Sequence, residues 1–308
     1  MSNSMDELPG AREFAVAEAG FLDLPQEHRQ DATARFAVIP VPYDMTSTWQ
    51  RGADHGPAAL FGASVELEWY DTETDSVPST AGIITRSPVL CSGSPDELRA
   101  FVKEAVLAEL QNRKLPVVIG GEHSVSIGAI DAAAAHCGGT ITTVQIDAHG
   151  DTRESYQGSS CNHACVMARA REHGPIVQVG LRAIAEEEVS RMNRARTLLA
   201  HEMAGVPRKV WTDRLATIVR EACAGGSVYL TIDLDAFDSG VMPATGTPEP
   251  GGLSWHDMTA AIDAITSAAD VVAFDVVELC PRPGLHACDF VAAKLVHRVM
   301  ASLTRLQR

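Results

Sequence analysis

The sequence lacks any apolar run long enough to cross a membrane. No stretch of about 18 apolar residues occurs in the 308-residue chain, so we predict no association with a membrane. The first residues contain no basic region followed by an apolar run, which argues against a signal peptide. We therefore expect a cytoplasmic protein.

Positive charge is also scarce. The chain has 25 lysines and arginines against 40 aspartates and glutamates, which gives a formal net charge of −15. Binding to nucleic acid needs a basic face that replaces counterions, so we expect no such partner. An acidic cleft would instead attract a small cationic substrate, although the same charge is equally consistent with a solubilising surface.

The cysteines do not suggest a disulfide framework. There are seven, an odd number, in a chain of this length without a signal peptide. We expect most of them to be buried thiols. Cys161 and Cys165 flank His163, so a zinc site there is an open alternative, weakened by the lack of a second Cys/His pair.

Apolar runs rich in β-branched residues alternate with helical patterns along the chain. We predict strands at 35–40, 115–120, 140–147, 176–180, 227–233 and 271–277. We predict helices at 95–113, 124–136, 186–201, 213–224, 254–269 and 287–304. This alternation indicates βαβ units and a parallel sheet. The organisation we expect is an N-terminal arm with a short helix at 1–30, followed by one α/β domain at 31–308.

Acidic and histidine residues recur where four of the predicted strands end. The segments are Gly121–Ser124, Asp147–Asp151, Asp233–Asp235 and Glu278. In open parallel sheets, ligands bind beyond the carboxyl ends of the strands, so these segments should meet in one crevice. Each motif alone fits a loop, a helix cap or a solvated strand end equally well. Their recurrence at successive strand ends favours a functional site.

The residue types at these strand ends predict a metal centre. The candidate ligands are His123, Asp147, His149, Asp151, Asp233 and Asp235. Within 147–151 and within 233–235 they are spaced two residues apart, which places them on one face of an extended segment. So many acids would repel one another unless cations compensated them. Carboxylates and imidazoles without thiolates favour Mn²⁺, and their number favours two ions, about 3.5–4 Å apart, that share carboxylates.

Five motifs are specific enough to suggest a family. They are GGEHS at 120–124, DAHGD at 147–151, TIDLDAFD at 231–238, PATGTPEPGGLSW at 243–255 and DVVELCP at 275–281. Together they make the chain resemble the ureohydrolase family of arginases and agmatinases, and most closely the agmatinase branch. The resemblance implies a three-layer α/β/α fold with a mainly parallel eight-stranded sheet. It also implies two Mn²⁺ per chain and assembly into homo-oligomers, either trimers or hexamers.

The resemblance further implies roles for single residues. One ion would be held by His123, Asp147, Asp151 and Asp233, and the other by Asp147, His149, Asp233 and Asp235. Asp147 and Asp233 would therefore bridge the two ions.

Three residues are expected to serve the hydrolysis itself. Glu278 would hold the planar guanidinium through two parallel N–H bonds. Asp235 would accept a proton from the attacking water, whose pKa the metal ions lower. His163 occupies the position of the family's proton-shuttling histidine. It is followed by Ala-Cys-Val-Met rather than the more widespread Gly-x-Pro-like run, a form similar to a subset of agmatinase-type sequences.

The expected reaction is Mn²⁺-dependent hydrolysis of agmatine to putrescine and urea, a step of polyamine biosynthesis. Arginase-type sequences place an acid after Gly-Leu-Arg to meet the α-amino group of arginine, whereas this chain has Ala183 there. Aminopropylagmatine ureohydrolase and 4-guanidinobutyrase activities remain alternatives. In the loop 152–160, Arg153 would suit a substrate with a carboxylate tail and Glu154 one with an amine tail.

Two alternatives belong to other classes of protein. A zinc deacetylase-like amidohydrolase would share a related fold, but such sites typically use fewer carboxylates and one zinc. The complete set of candidate ligands argues against it, and argues more strongly against a non-enzymatic interaction protein.

Overall fold

An eight-stranded, all-parallel sheet forms the centre of the computed structural model, which describes residues 20–305. The strands are β1 (Phe36–Val41), β2 (Ile83–Thr85), β3 (Leu115–Gly120), β4 (Thr142–Ile146), β5 (Ile176–Leu181), β6 (Thr197–Leu199), β7 (Ser227–Asp233) and β8 (Asp270–Val277). Their order across the sheet is β2-β1-β3-β8-β7-β4-β5-β6. The predicted α/β class with a parallel eight-stranded sheet is confirmed.

Helices connect the strands. They are α1 (Gly56–Ser64), α2 (Pro95–Gln111), α3 (Val125–His136), α4 (Val166–Ala170), α5 (Glu186–Val189), α6 (Ala200–Met203), α7 (Arg208–Cys223), α8 (Trp255–Ala268) and α9 (His286–Arg305). Helix α2 begins with a capping box, in which Ser94 Oγ accepts from the backbone N–H of Glu97 at 3.3 Å. Within residues 20–305, no helix combines the length and apolarity needed to cross a membrane.

Two apolar cores lie on opposite faces of the sheet. In β3, Val117 and Ile119 pack into one core and Val118 into the other, because successive side chains of a strand point to opposite faces. Side chains of α1, α7, α8 and α9 fill the first core, and those of α2, α3 and α4 fill the second. The molecule is therefore a three-layer α/β/α structure.

The predicted helix at 186–201 is wrong. The α-helix there ends at Val189; a short 3-10 turn at Arg194–Arg196 and the edge strand β6 follow before α6 begins at Ala200. The side chain of Asn193 accepts a hydrogen bond from Ala195 N at 3.1 Å, a local turn that competes with helix. The β-branched Thr197 then starts a strand that pairs with β5.

The predicted N-terminal arm at 1–30 lies mostly outside the described residues, which begin at Gly20. From that point the chain is packed against the body of the protein. Phe21, Leu22 and Leu24 are all buried in the first core. The backbone of Phe21 donates to Thr85 Oγ1 at 2.9 Å, which ties this segment to strand β2.

The sheet order explains where a functional site can form. Strands β3, β8, β7 and β4 are consecutive neighbours at its centre. All four point the same way, so the segments that follow them meet at one edge of the sheet. These are the segments whose acidic and histidine residues the sequence singles out.

Candidate metal centre

The first group of candidate ligands surrounds His123, which follows β3. Its Nδ1 atom lies 3.2 Å from Asp147 Oδ2, 2.9 Å from Asp151 Oδ2 and 3.4 Å from Asp233 Oδ2. The three carboxylates come from the ends of β4 and β7, and all four side chains are buried. Asp151 has a backbone φ of 51°, a conformation costly for a non-glycine residue and common at functional sites.

A second group forms on the other side of Asp147. His149 Nδ1 lies 2.8 Å from Asp235 Oδ2 and 3.7 Å from Asp147 Oδ1. Asp147 thus directs one oxygen towards each group, and each group has the geometry of a three-ligand ion site. All six ligands predicted from the sequence are brought together. Two neighbouring cation positions that share Asp147 fit this arrangement.

A buried relay of hydrogen bonds behind His123 sets the tautomer of its neutral imidazole. Thr231 Oγ1 donates to Asp275 Oδ1 at 2.6 Å, and Tyr229 donates to the other oxygen of Asp275 at 2.6 Å. Because the Thr231 proton is engaged, its oxygen accepts from His123 Nε2 at 2.9 Å. When the imidazole of His123 is neutral, its lone pair is therefore on Nδ1.

The Nδ1 atom of His123 fits a metal ligand. It is buried, and no residue in the range 20–305 is aligned to form a hydrogen bond with it. It points instead into the three carboxylates. A buried imidazole lone pair among carboxylate oxygens, with no thiolate nearby, is a donor set suited to Mn²⁺, and the relay through Thr231 is the support such a ligand needs.

The pKa values show how strongly this pocket selects positive charge. Burial disfavours the charged imidazole of His123, but its carboxylate neighbours outweigh that and raise its pKa well above the usual value. Burial, together with Asp235 and Asp151, raises the pKa of Asp147 to about 7. Burial, together with Asp235 and Asp147, raises the pKa of Asp233 well above its usual value. Protons and metal cations therefore compete for these donor atoms.

His149 and Asp235 form the most strongly polarised pair of the site. Burial opposes charge on His149, but Asp235 raises the pKa of the imidazole to about 11. Burial likewise opposes charge on Asp235, but His149 and the backbone N–H of Ala148 lower its pKa to about 2. Asp235 therefore remains a carboxylate and accepts from Ala148 N at 3.1 Å.

A cavity of about 440 Å³ opens over the candidate ligands. Glu278 lines it beyond the end of β8, with a backbone φ of 68°. Its Oε1 accepts from His123 N at 2.7 Å. Burial and the neighbouring Glu122 raise the pKa of Glu278 well above its usual value, and a guanidinium bound beside it would lower that pKa again.

His163 lines the same cavity and is held from behind by Thr46. Glu122 accepts from Thr46 Oγ1 at 2.6 Å and from Thr46 N at 2.8 Å. Because the Thr46 proton is engaged, its oxygen accepts from His163 Nδ1 at 3.1 Å. The Nε2 atom of His163 therefore carries the lone pair. Burial lowers the pKa of His163, so its neutral form prevails at pH 7.

The two predicted tail-binding residues lie in different surroundings. Arg153 lines the cavity, where its guanidinium stacks 4.5 Å from the Tyr156 ring centroid. Glu154 is not among the lining residues. Its carboxylate lies 2.8 Å from Arg169 and 3.2 Å from Arg171. Glu154 is thus already paired with two cations outside the cavity.

Sequence reasoning missed the residues that support the ligands and His163. Glu122 is fully buried and collects hydrogen bonds from Thr46, Ser47 and Ser124. Thr231 and Asp275 lie inside strands β7 and β8 rather than at their ends. For Thr231 and Asp275 the available signal was a polar residue in the buried part of a mostly apolar strand, because such a residue needs a polar partner.

Comparisons with known proteins agree with this geometry. Residues 34–302 match the Arginase family. The N(1)-aminopropylagmatine ureohydrolase of Synechocystis sp. is 36% identical over 90% of this chain and 92% of its own length. The agmatinase of Pyrococcus horikoshii is 30% identical over 92% of this chain and 96% of its own. The solved structure of agmatine ureohydrolase from Thermoplasma volcanium superposes with a TM-score of 0.80, at 28% identity, over 92% of this chain and 94% of that one.

Proposed function

The chain belongs to the Arginase family, and on that basis we propose that it uses two Mn²⁺ ions to release urea from an amine-tailed guanidine, with N(1)-aminopropylagmatine as the preferred substrate. It is a ureohydrolase of the agmatinase type, which hydrolyses a guanidino C–N bond. The metal, its number and the substrate tail are the parts that we propose.

One observation carries the proposed metal chemistry. Two three-ligand groups, His123 with Asp147 and Asp151, and Asp147 with His149 and Asp235, share a single carboxylate beneath one cavity. When bound there, a pair of Mn²⁺ ions would supply the positive charge that lowers the pKa of a water molecule.

Three side chains of the protein would orient the substrate and transfer protons. Glu278 faces the cavity as a half-buried carboxylate with an acceptor oxygen beyond its contact to His123 N, and would orient the guanidinium. Asp235, a carboxylate that accepts from Ala148 N at 3.1 Å, would accept a proton from the attacking water. His163 presents Nε2 to the cavity and would carry a proton to the departing amine.

The names of the relatives favour N(1)-aminopropylagmatine over agmatine as the substrate. Sequence reasoning puts agmatine first, but several of the most similar relatives are named N(1)-aminopropylagmatine ureohydrolase, so the alternative is the better supported substrate. Agmatine remains the second candidate, because the Pyrococcus horikoshii relative is named agmatinase. Both compounds carry a cationic tail, in keeping with a chain of net charge −15.

A urea-release screen tests this proposal. The Mn²⁺-loaded protein would be assayed with N(1)-aminopropylagmatine, agmatine, arginine and 4-guanidinobutyrate. We expect kcat/KM to be highest for aminopropylagmatine and next highest for agmatine. A preference for 4-guanidinobutyrate would reassign the substrate to the carboxylate-tailed class, and Arg153→Ala would then abolish that activity.

A further inference from the structure

The tail of a dicationic substrate needs a counter-charge inside the cavity. Apart from the candidate metal ligands, the acidic side chains that line it are Glu188, Glu249 and Glu278. Glu278 lies at the guanidinium end. Glu188 is 5% exposed, and its oxygens accept from Thr152 N at 2.6 Å, Thr152 Oγ1 at 3.1 Å and Ala185 N at 3.0 Å. Its acceptor capacity is largely used by the protein itself.

Glu249 is the remaining acid. It is half-buried in the cavity wall, and within residues 20–305 its side chain has no hydrogen bond or ion pair. A carboxylate without a protein partner keeps its acceptor oxygens free for a ligand, and a hydrogen bond between it and an ammonium is stronger than one between neutral groups.

Hydrogen bonds hold the backbone of Glu249 in place, although its carboxylate makes none within the described part of the chain. The Arg182 guanidinium donates to the carbonyl oxygen of Glu249 at 3.0 Å and of Pro250 at 3.1 Å. The same guanidinium donates to the carbonyl oxygens of Asp235 at 2.6 Å and Phe237 at 3.1 Å. Arg182 therefore ties the segment that carries Glu249 to the segment that carries a metal ligand, and sets the distance between them.

The spacing along this segment suits a four-carbon tail. A Cβ placed on Gly246 would lie 3.7 Å from Glu278 Oε2, so Gly246 marks the guanidinium end of the cavity. Glu249 is three residues further on, so the two Cα atoms lie at most about 10–11 Å apart. A butyl chain with a nitrogen at each end, together with the length of the Glu249 side chain, can cover a span within that bound.

The segment that follows β5 adds no charged side chain to the cavity wall at residues 183–185. Ala183, Ile184 and Ala185 line the cavity after β5, where arginase-type sequences place an acid. The cation in the wall, Arg153, is paired with Glu187 at 3.4 Å. Glu249 is therefore the carboxylate of the cavity wall that is available to pair with an ammonium tail.

We propose that the Glu249 carboxylate binds the nitrogen four carbons from the guanidino group, which is a primary ammonium in agmatine and a secondary ammonium in aminopropylagmatine. The proposal rests on the function proposed above. Arg182 acts as the positioning residue for this contact. Glu249 thereby selects cationic over neutral or acidic tails.

The test compares Glu249→Gln with the parent on agmatine, aminopropylagmatine and 1-butylguanidine, which has no tail nitrogen. A charge-assisted contact of this kind corresponds to a loss on the order of 10- to 100-fold in kcat/KM. We expect that loss for both amines, mainly as a higher KM, because the tail contact is equal in the ground and transition states. The kcat/KM for butylguanidine should not change. Glu186→Gln, which removes the same charge from an exposed position outside the cavity wall, is the matched control and should behave as the parent.

Calorimetric titration of agmatine and butylguanidine into chelator-treated protein gives a second readout without turnover. The proposal is supported if Glu249→Gln binds agmatine more weakly than the parent does and binds butylguanidine as tightly. Equal losses for all three guanidines, or an unchanged ratio between amine and butylguanidine, overturn the role of Glu249 and leave the ureohydrolase function intact. Absence of urea from every guanidine with the parent protein would instead overturn the proposed function.

Discussion

Thr231→Val would test the buried relay behind the metal centre. Valine has nearly the shape of threonine but has no hydroxyl, so it removes both hydrogen bonds of Oγ1. His123 Nε2 would lose its acceptor at 2.9 Å, and Asp275 would lose a donor at 2.6 Å. All three side chains are buried, with at most 1% of their surface exposed, so water would not replace the missing partners.

The magnitude follows from the charges involved. A buried hydrogen bond to an ionised group contributes about 1.5–3 kcal/mol, and loss of a residue that orients a metal ligand lowers metal affinity by about 10- to 100-fold. Asp275 retains Tyr229 as a donor, so the fold should survive. We expect the free energy of unfolding to fall by about 1–3 kcal/mol.

The assay is a Mn²⁺ titration against a competing chelator, with chemical denaturation in parallel. Thr231→Ser restores the hydroxyl and should recover most of the metal affinity. If Thr231→Val bound Mn²⁺ as tightly as the parent, or if Thr231→Ser were as defective as Thr231→Val, the relay would not orient His123 and the reasoning would fail.

Three further predictions concern separate parts of the molecule. Asp147→Asn should lose bound Mn²⁺ and urea release together, because Asp147 faces both groups of ligands; an Asn variant with full metal content and turnover would exclude it as a bridge. His163→Ala should lower turnover by about 10²- to 10⁴-fold with unchanged metal content, whereas metal loss on elemental analysis would favour a site made with Cys161 and Cys165. Burial lowers the pKa of His297 to about 4 from 6.5, so the unfolded chain binds more protons between these values. Stability from this group is complete above about pH 6.5 and lost as the pH falls to 4, by up to about 3 kcal/mol. His297→Gln should flatten that part of a denaturation-against-pH profile, and an unchanged profile would refute this assignment.

The metal ligands could be predicted from sequence for a local reason. Each candidate lies at the end of an apolar strand or a few residues beyond it, and parallel strands with carboxyl ends at one edge bring such residues together. Thus His123, Asp147 and Asp233 meet as expected.

Other features depend on contacts that no local pattern encodes. The acidic side chain of Glu154 suggested a contact with an amine tail. In the structure Glu154 instead pairs with Arg169 and Arg171, on and just after α4, and does not line the cavity. The edge strand β6 has only three residues, too few for a two-residue repeat to stand out. Arg182 donates its hydrogen bonds to backbone carbonyl oxygens. Every residue has a carbonyl oxygen, so the sequence does not indicate which residues accept them.

The number of Mn²⁺ ions bound per chain tests the central claim most directly. The protein would be reconstituted with Mn²⁺, freed of excess metal and analysed by elemental mass spectrometry together with urea release. Our account predicts about two Mn²⁺ per chain, with activity that is lost on chelation and restored by Mn²⁺. A single tightly bound Zn²⁺, or full urea release from metal-free protein, would contradict it.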